Sequence, residues 1–438
     1  MLDSLFRLEL PPAFSAMRAC DSASCETVRL SARSFSAWSR GDLTEALRLS
    51  ESASQGHPAC AGACRGPATI WHSALLVRVR ELVAAARSLA RIEELTVGAG
   101  ETGALVAASL VCAGDLALAQ GDVAAAVDAV GRGVHKAQQA GLHCLIPDAH
   151  TVMALSALRQ GDMSTSLEFV DQLRDDALLG RTTDRPGQYA WAAAQLLEVQ
   201  GGAKSAAHFI VGIVTDDQLL LELLASQPAA AAWLVRATSE LGDVSLAQRV
   251  ASEASGLATR NAGLRSMEAA AVHARALLEG SPERLVSAGV SHLDPWAGAS
   301  AFEDAGNLLA GLDRERDRAV EILERAVEGY TNAGAPRDAR RVVSTLRGLG
   351  VRRGRYPRSA GQDGVSTGAL TETEAAVAEL VSHGFTNSQV GQHLFISGHT
   401  VAFHLKKIFR KLNVASRVEL TRTWSRLSDA AAEPTPPR

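Results

Sequence analysis

The stretch 116-LALAQGDVAAAVDAV-130 decides the fold. An apolar, helix-forming run, LALAQ, stops at Gly121. Asp122 follows, and a second alanine-rich run carries a small residue, Ala126, one turn in. Glycine ends a helix where a left-handed backbone is wanted, and aspartate caps the helix that follows. A small side chain one turn later lets the two helices approach closely. The segment therefore reads as a helical hairpin. The signature recurs at Gly41-Asp42…Ala46, Gly161-Asp162…Ser166 and Gly242-Asp243…Ala247, with a degenerate copy at Gly201-Gly202…Ala206 and a late echo at Gly334…Ala339. The starts from Gly41 to Gly242 lie 80, 40, 40 and 41 residues apart, a period near 40 with the copy around residue 81 worn away. Hairpins of this kind cannot bury their apolar faces alone, so they stack into a superhelix. The expectation is a tetratricopeptide-like helical array over residues 1–350, with helices longer than the usual ~34-residue unit allows.

Composition agrees with an all-α chain. Of 438 residues, 47% are hydrophobic and only 4% aromatic, with a formal charge of −4, and β-branched runs are scarce. The opening MLDSLFRLELPPAF has neither a basic start nor a sustained apolar core, so no signal peptide is expected. No window approaches ~18 uninterrupted apolar residues, and the expected location is cytoplasmic, with no membrane partner. The six cysteines (Cys20, Cys25, Cys60, Cys64, Cys112, Cys144) are too sparse for a disulfide framework. His57, Cys60 and Cys64 form a loose cluster, but zinc wants four ligands in tighter pairs, so reduced thiols and no metal are expected.

Charge is placed unevenly. From Arg337 to Arg358 there are eight arginines against Asp338 alone, and from His399 to Leu427 seven Lys/Arg against Glu419 alone. A basic module on an acidic body points to a polyanionic partner at one end. The segment 351-VRRGRYPRSAGQDGVSTGA-369 lacks any apolar period and reads as a flexible basic linker.

From Leu370 the helix punctuation is dense. Thr371-x-x-Glu374, Thr386-x-x-Gln389 and Ser416-x-x-Glu419 are capping boxes, Gly384 is placed to end the first helix, and Ser397 can cap the third. Four helices over residues 370–428, the middle two joined by the brief turn FIS, make a helix-turn-helix arrangement, with 429–438 as a disordered tail. Within it, 397-SGHTVAFHLKKIFRKLNVASR-417 holds Lys406, Lys407 and Lys411, three of the chain's five lysines. At about 100° per residue, Val401, Leu405, Ile408 and Leu412 share one stripe that must face the small core. His399, Phe403, Lys406 and Arg410 lie opposite, flanked by Ala402 and Lys407. A basic outward face with one aromatic and no acid fits a DNA major groove. Lys406 suits guanine acceptors and Phe403 thymine methyls, while Thr400, Lys407, Arg410 and Lys411 suit phosphates.

The segment 370-LTETEAAVAELVSHGFTNSQVGQHLFISGHTVAFHLKKIFRKLNVASRVEL-420 closely resembles the LuxR-type (GerE-type) DNA-binding domain. Leu370-Thr371, Glu374, Gly384, Thr386-Asn387, Leu394, Ile396-Ser397, Thr400-Val401, His404, Ile408, Lys411-Leu412, Val414 and Arg417 sit where that pattern expects them. Thr373, Gly391 and Ala402 depart from it. The resemblance implies base reading at Ala402, Phe403 and Lys406, and a packed His404. It further implies dimerisation through the last helix, Ser416 to Leu427, by way of Val418, Leu420, Thr421 and Trp424, on a near-palindromic promoter site. Helical repeats ahead of such a domain resemble the C-terminal half of the large ATP-binding LuxR regulators. No nucleotide loop is expected, because G-x4-G-K-[ST] does not occur. Gly202-Ala203-Lys204-Ser205 and 98-GAGETG-103 follow helical runs rather than strands.

The functional expectation is a non-enzymatic, cofactor-free transcription regulator that binds double-stranded DNA, with a small-molecule or protein effector on the array. His143, Asp148 and His150 form no constellation with a nucleophile or metal set. A protein-interaction scaffold whose last module has drifted from DNA binding is the alternative, kept open by Ala402.

Overall fold

The computed structural model describes residues 26–56, 64–97, 103–178, 185–312, 314–351, 370, 372–394, 398–412, 414 and 416–432. Every regular element among them is helical. The chain divides into two units, Met1–Arg352 and Arg353–Arg438.

In the first unit helices pair along the chain. They are α1 (Glu26–Ser39) with α2 (Leu43–Gln55), α3 (Arg65–Arg78) with α4 (Leu82–Val97), and α5 (Gly103–Gln120) with α6 (Val123–Gln139). Then come α7 (Ile146–Gln160) with α8 (Met163–Leu178), and α9 (Pro186–Gly201) with α10 (Ala203–Thr215). After α11 (Asp217–Ser226) follow α12 (Ala230–Glu240) with α13 (Val244–Arg260), α14 (Arg265–Glu279) with α15 (Pro282–Ser291), and α16 (Pro295–Ala310) with α17 (Arg316–Asn332). Helix α18 (Pro336–Gly348) packs on α17.

One turn repeats through these hairpins. Gly41, Gly121, Gly161, Gly242 and Gly334 all have φ between 61° and 87°. The next residue's N–H reaches back five residues along the chain, as in Asp122 N–H to Ala117 O at 2.9 Å and Asp162 to Ala157 O at 2.9 Å. This is the Schellman closure, which satisfies carbonyls that the helix end leaves open. The aspartates then cap: Asp122 Oδ1 accepts from Ala125 N at 2.9 Å and Asp243 Oδ1 from Leu246 N at 3.1 Å. Asp42 makes no such side-chain cap. Ala46, Ala126, Ser166, Ala206 and Ala247 are at most 1% exposed, as close helix approach requires.

The copy expected to be worn away near residue 81 is present in the backbone. Arg80 adopts φ 64°, and Glu81 N–H bonds Leu76 O at 2.9 Å. A further copy stands at Gly280-Ser281, with φ 61° and Ser281 N–H on Ala276 O at 3.1 Å. In the degenerate copy it is Gly202, at φ 75°, that takes the left-handed position.

Early turns also meet late ones. Asn261 Nδ2 donates to Gly41 O at 2.8 Å while its Oδ1 accepts from Thr44 N at 3.0 Å. Arg80 Nε pairs with Asp294 Oδ2 at 3.0 Å, and its other amine meets Gln227. A Cβ on Gly121 would lie 2.6 Å from Ala333 Cα, and Gln160 Nε2 donates to Gly334 O at 3.1 Å. Turns far apart in sequence thus pack against each other across the superhelix. Its interior holds a buried run of rings, Trp233–Trp191–Trp296–Tyr330, at centroid spacings of 6.4, 6.4 and 6.3 Å.

Helix α5 is long and apolar enough to cross a membrane (18 residues, mean hydropathy 1.6), yet 61% of it is buried within the unit. It is packed against α6 and α7, as the core helix of an array would be. Burial pushes its Cys112 thiol up to about 12. His57 and Cys60 of the loose cysteine cluster lie outside the described residues, and Cys64 is buried. Lys204 stands in the first turn of α10, immediately after a helix.

Candidate nucleic-acid interface

The second unit consists of α19 (Glu372–Ser382), α20 (Asn387–Leu394), α21 (Gly398–Lys411) and α22 (Arg417–Ala432). Local chemistry sets each boundary. Gly384, at φ 89°, closes α19 in the same Schellman manner, with Phe385 N–H on Leu380 O at 3.3 Å. The second capping box is complete: Thr386 N–H bonds Gln389 Oε1 at 2.9 Å and Gln389 N–H bonds Thr386 Oγ1 at 3.3 Å. Glu419 N–H bonds Ser416 Oγ at 3.2 Å and opens α22. Arg417 ties that opening back to Asn387 Oδ1 at 2.9 Å and to Phe385 O.

The helices close on Val377, Ala378, Val381, Val390, Val401, Leu405, Ile408, Leu412 and Leu420. The stripe expected to face inward on α21 is thus buried in full, with Val401 and Ile408 at 0% exposure. His404 is packed beside it at 3%.

On the opposite side, Lys406 and Arg410 are exposed and Ala402 is half-buried. These three stand one turn apart, a stripe about 12 Å long at 1.5 Å per residue, comparable to the ~12 Å width of the B-DNA major groove. The sequence of α21 contains no acidic residue. His399 and Thr400 sit in its first turn; their side chains fall outside the described residues.

Three expected roles change. Phe403, expected on the outward face, is 7% exposed. Lys407, one turn on, lays its Nζ 4.6 Å over the ring, so the long side chain covers the aromatic face and takes its own charge partly out of the stripe. Lys411, expected on phosphate, pairs with Glu374 Oε2 of α19 at 2.5 Å, with the two side chains 30% and 4% exposed. A nearly buried carboxylate needs a cation, and Lys411 supplies it. Leu420, expected at a dimer surface, is 0% exposed in the core, and Trp424 packs against that core. Val418, some 200° away around α22 at about 100° per residue, is 62% exposed, and Thr421 is intermediate.

Comparison with known proteins falls on this unit. Residues 368–424 match the model for "Bacterial regulatory proteins, luxR family". A Mycobacterium bovis protein described as an HTH-type transcriptional regulator is 47% identical over 53 residues, 12% of this chain and 6% of that one. The HTH-type transcriptional regulator MalT of Vibrio cholerae is 36% identical over 63 residues, 14% of this chain and 7% of that one. The nitrate/nitrite response regulator protein homolog of Haemophilus influenzae is 43% identical over 53 residues, 12% and 26% of the two chains. The matched segment therefore spans from 6% to 26% of these relatives' lengths. The solved TPR domain of P58(IPK) covers 93% of this chain and 99% of that one at 13% identity, but with a TM-score of 0.23. The repeat architecture rests on the hairpins themselves.

Proposed function

We propose that the protein is a DNA-binding transcriptional regulator, its second unit docking α21 in the major groove of promoter DNA and its helical array acting as the controlling part. One observation carries this reading. The inner face of α21 is wholly absorbed by the four-helix core, while Ala402, Lys406 and Arg410 stay outward without an acid on the helix. A luxR-family domain on this unit supports the same reading. In this reading Lys406, at the middle of the stripe, meets a base edge and Arg410 meets the backbone. Val418 and Thr421 on α22 are the positions left for a second copy on a near-palindromic site.

The test is affinity for a preferred duplex at several salt concentrations. Lys406→Ala should cost about 1–3 kcal/mol on that site if it reads a base. Arg410→Ala should weaken all sequences alike and reduce the salt slope by about one. Neither variant changing affinity or slope would remove this face from DNA.

A further inference from the structure

On α9, Gln188, Trp191, Gln195 and Glu198 stand at i, i+3, i+7 and i+10, one stripe of a single helix. Three of them are buried: Gln188 at 0%, Trp191 at 2% and Gln195 at 7% exposure. Gln188 Nε2 and Oε1, Trp191 Nε1 and Gln195 Nε2 have no hydrogen-bond partner among the described residues. Buried polar atoms in folded proteins are nearly always satisfied; Gln188 and Trp191 lie behind the wall, and the open Gln195 Nε2 is the donor on this stripe that an occupant of the adjoining cleft can meet. The stripe runs out into a cleft of about 410 Å3, with Gln195, Glu198, Trp233 and Glu240 on its wall. That volume lies in the range of small-molecule sites.

The cleft's charges select among ligands. Its arginines are already matched: Arg341 meets Glu303 at 2.7 Å and Asp338 at 2.7 Å, Arg337 meets Asp338 at 3.1 Å, and Arg236 meets Asp304. An anion here would meet arginines whose charge these carboxylates already offset. The Glu198 carboxylate, by contrast, accepts the neutral Trp233 indole N–H at 3.0 Å, and Glu240 stands exposed at the end of α12. Neither forms an ion pair among the described residues. Burial, only partly offset by the indole N–H and by the more distant Arg236 and Arg341, holds the Glu198 carboxyl above the usual carboxylate range, the state a closer cation would relieve.

We propose that this cleft is the effector site, and that its ligand is a small amine bearing hydroxyl or carbonyl oxygens. The ammonium sits against Glu198 and Glu240, and an oxygen accepts from Gln195 Nε2. The word effector rests on the regulator reading above; the binding itself does not. Because Trp191 touches Trp233 of α12 and Trp296 of α16 edge-on, an occupant here joins α9 to the helices of the later hairpins.

Titration calorimetry on the full chain tests it with three probes of one skeleton: glucosamine, glucose and glucuronate. Glucosamine should bind about tenfold tighter than either of the others, a charge-assisted bond's worth. Glu198→Gln, which keeps an acceptor for Trp233, should abolish that preference, and Gln195→Leu should weaken glucosamine binding. Equal binding of the three, preference for glucuronate, or no glucosamine binding would overturn the proposal. DNA binding is measured on the same preparation. Lost glucosamine binding with intact DNA binding refutes this site alone, and the converse refutes the regulator reading alone.

Discussion

Lys411→Met should damage the second unit's stability and leave its DNA electrostatics alone. The Lys411 Nζ lies 2.5 Å from Glu374 Oε2, whose side chain is 4% exposed. Removing one partner of a buried ion pair costs about 3–5 kcal/mol, because the other charge is stranded. Lys411 itself is 30% exposed, and water on that side discounts the figure towards that of a surface pair, leaving about 1–3 kcal/mol. Hydrogen exchange of the full chain reads this locally. Amides of α19 and α21 should lose about ten- to a hundredfold of protection, at 1.4 kcal/mol per decade, while those of α5 and α6 stay unchanged. Adding Glu374→Met should restore most of the loss, since an apolar pair of similar volume replaces the ion pair. The salt slope of DNA binding should match wild type. Unchanged protection together with a slope reduced by about one would refute the assignment and return Lys411 to the phosphates.

Arg80→Gly relieves a left-handed non-glycine residue, about 1–2 kcal/mol, but strands Asp294, whose pair is 4% exposed on both sides, at about 3–5 kcal/mol; urea unfolding should show a net loss of about 1–4 kcal/mol. Gly121→Ala, at φ 87° and with its Cβ 2.6 Å from Ala333 Cα, should destabilise by more than about 1 kcal/mol in the same assay. The array should weaken in acid. His292, half-buried beside His273 at 3.2 Å, is lowered from 6.5 to about 3 by desolvation and by that neighbour. Burial lowers His273 too, despite its bond to Asp304 at 2.8 Å. The unfolded chain thus takes up protons first, and stability present above pH 6.5 is lost as pH falls towards 3. Melting temperatures that stay flat from pH 7 to 4, against a falling trend expected from His292, would contradict this. Val418→Glu should abolish cooperative occupancy of two half-sites while a single half-site still binds, read by gel retardation.

Much of the fold was legible because it is local. A left-handed glycine, a capping aspartate and a buried small residue are the marks of these hairpins, and Gly121-Asp122-Ala126 shows all three within six residues. The copy at Arg80 was hidden because its backbone keeps the turn while its side chain has been spent on Asp294, 214 residues away. No local pattern announces such a partner. The meeting of Gly121 with Ala333 is hidden for the same reason. In the second unit, phase placed Val401, Leu405, Ile408 and Leu412 correctly. It misplaced Phe403, because a helical wheel does not know that the Lys407 stem folds over the ring. It also read Lys411 by charge alone, and Glu374 answers it from another helix. The polar stripe on α9 had a visible spacing, yet Gln, Trp, Gln and Glu at helical intervals look like any exposed face until burial is known.

The most direct measurement is selection of binding sites from random duplex DNA with the full-length protein, repeated with Lys406→Ala. A groove-reading α21 enriches a near-palindrome whose half-sites lie about one helical turn apart, and Lys406→Ala relaxes preference at a defined position in each half. Failure of wild-type protein to enrich any sequence, or an identical enriched site with and without Lys406, would contradict it.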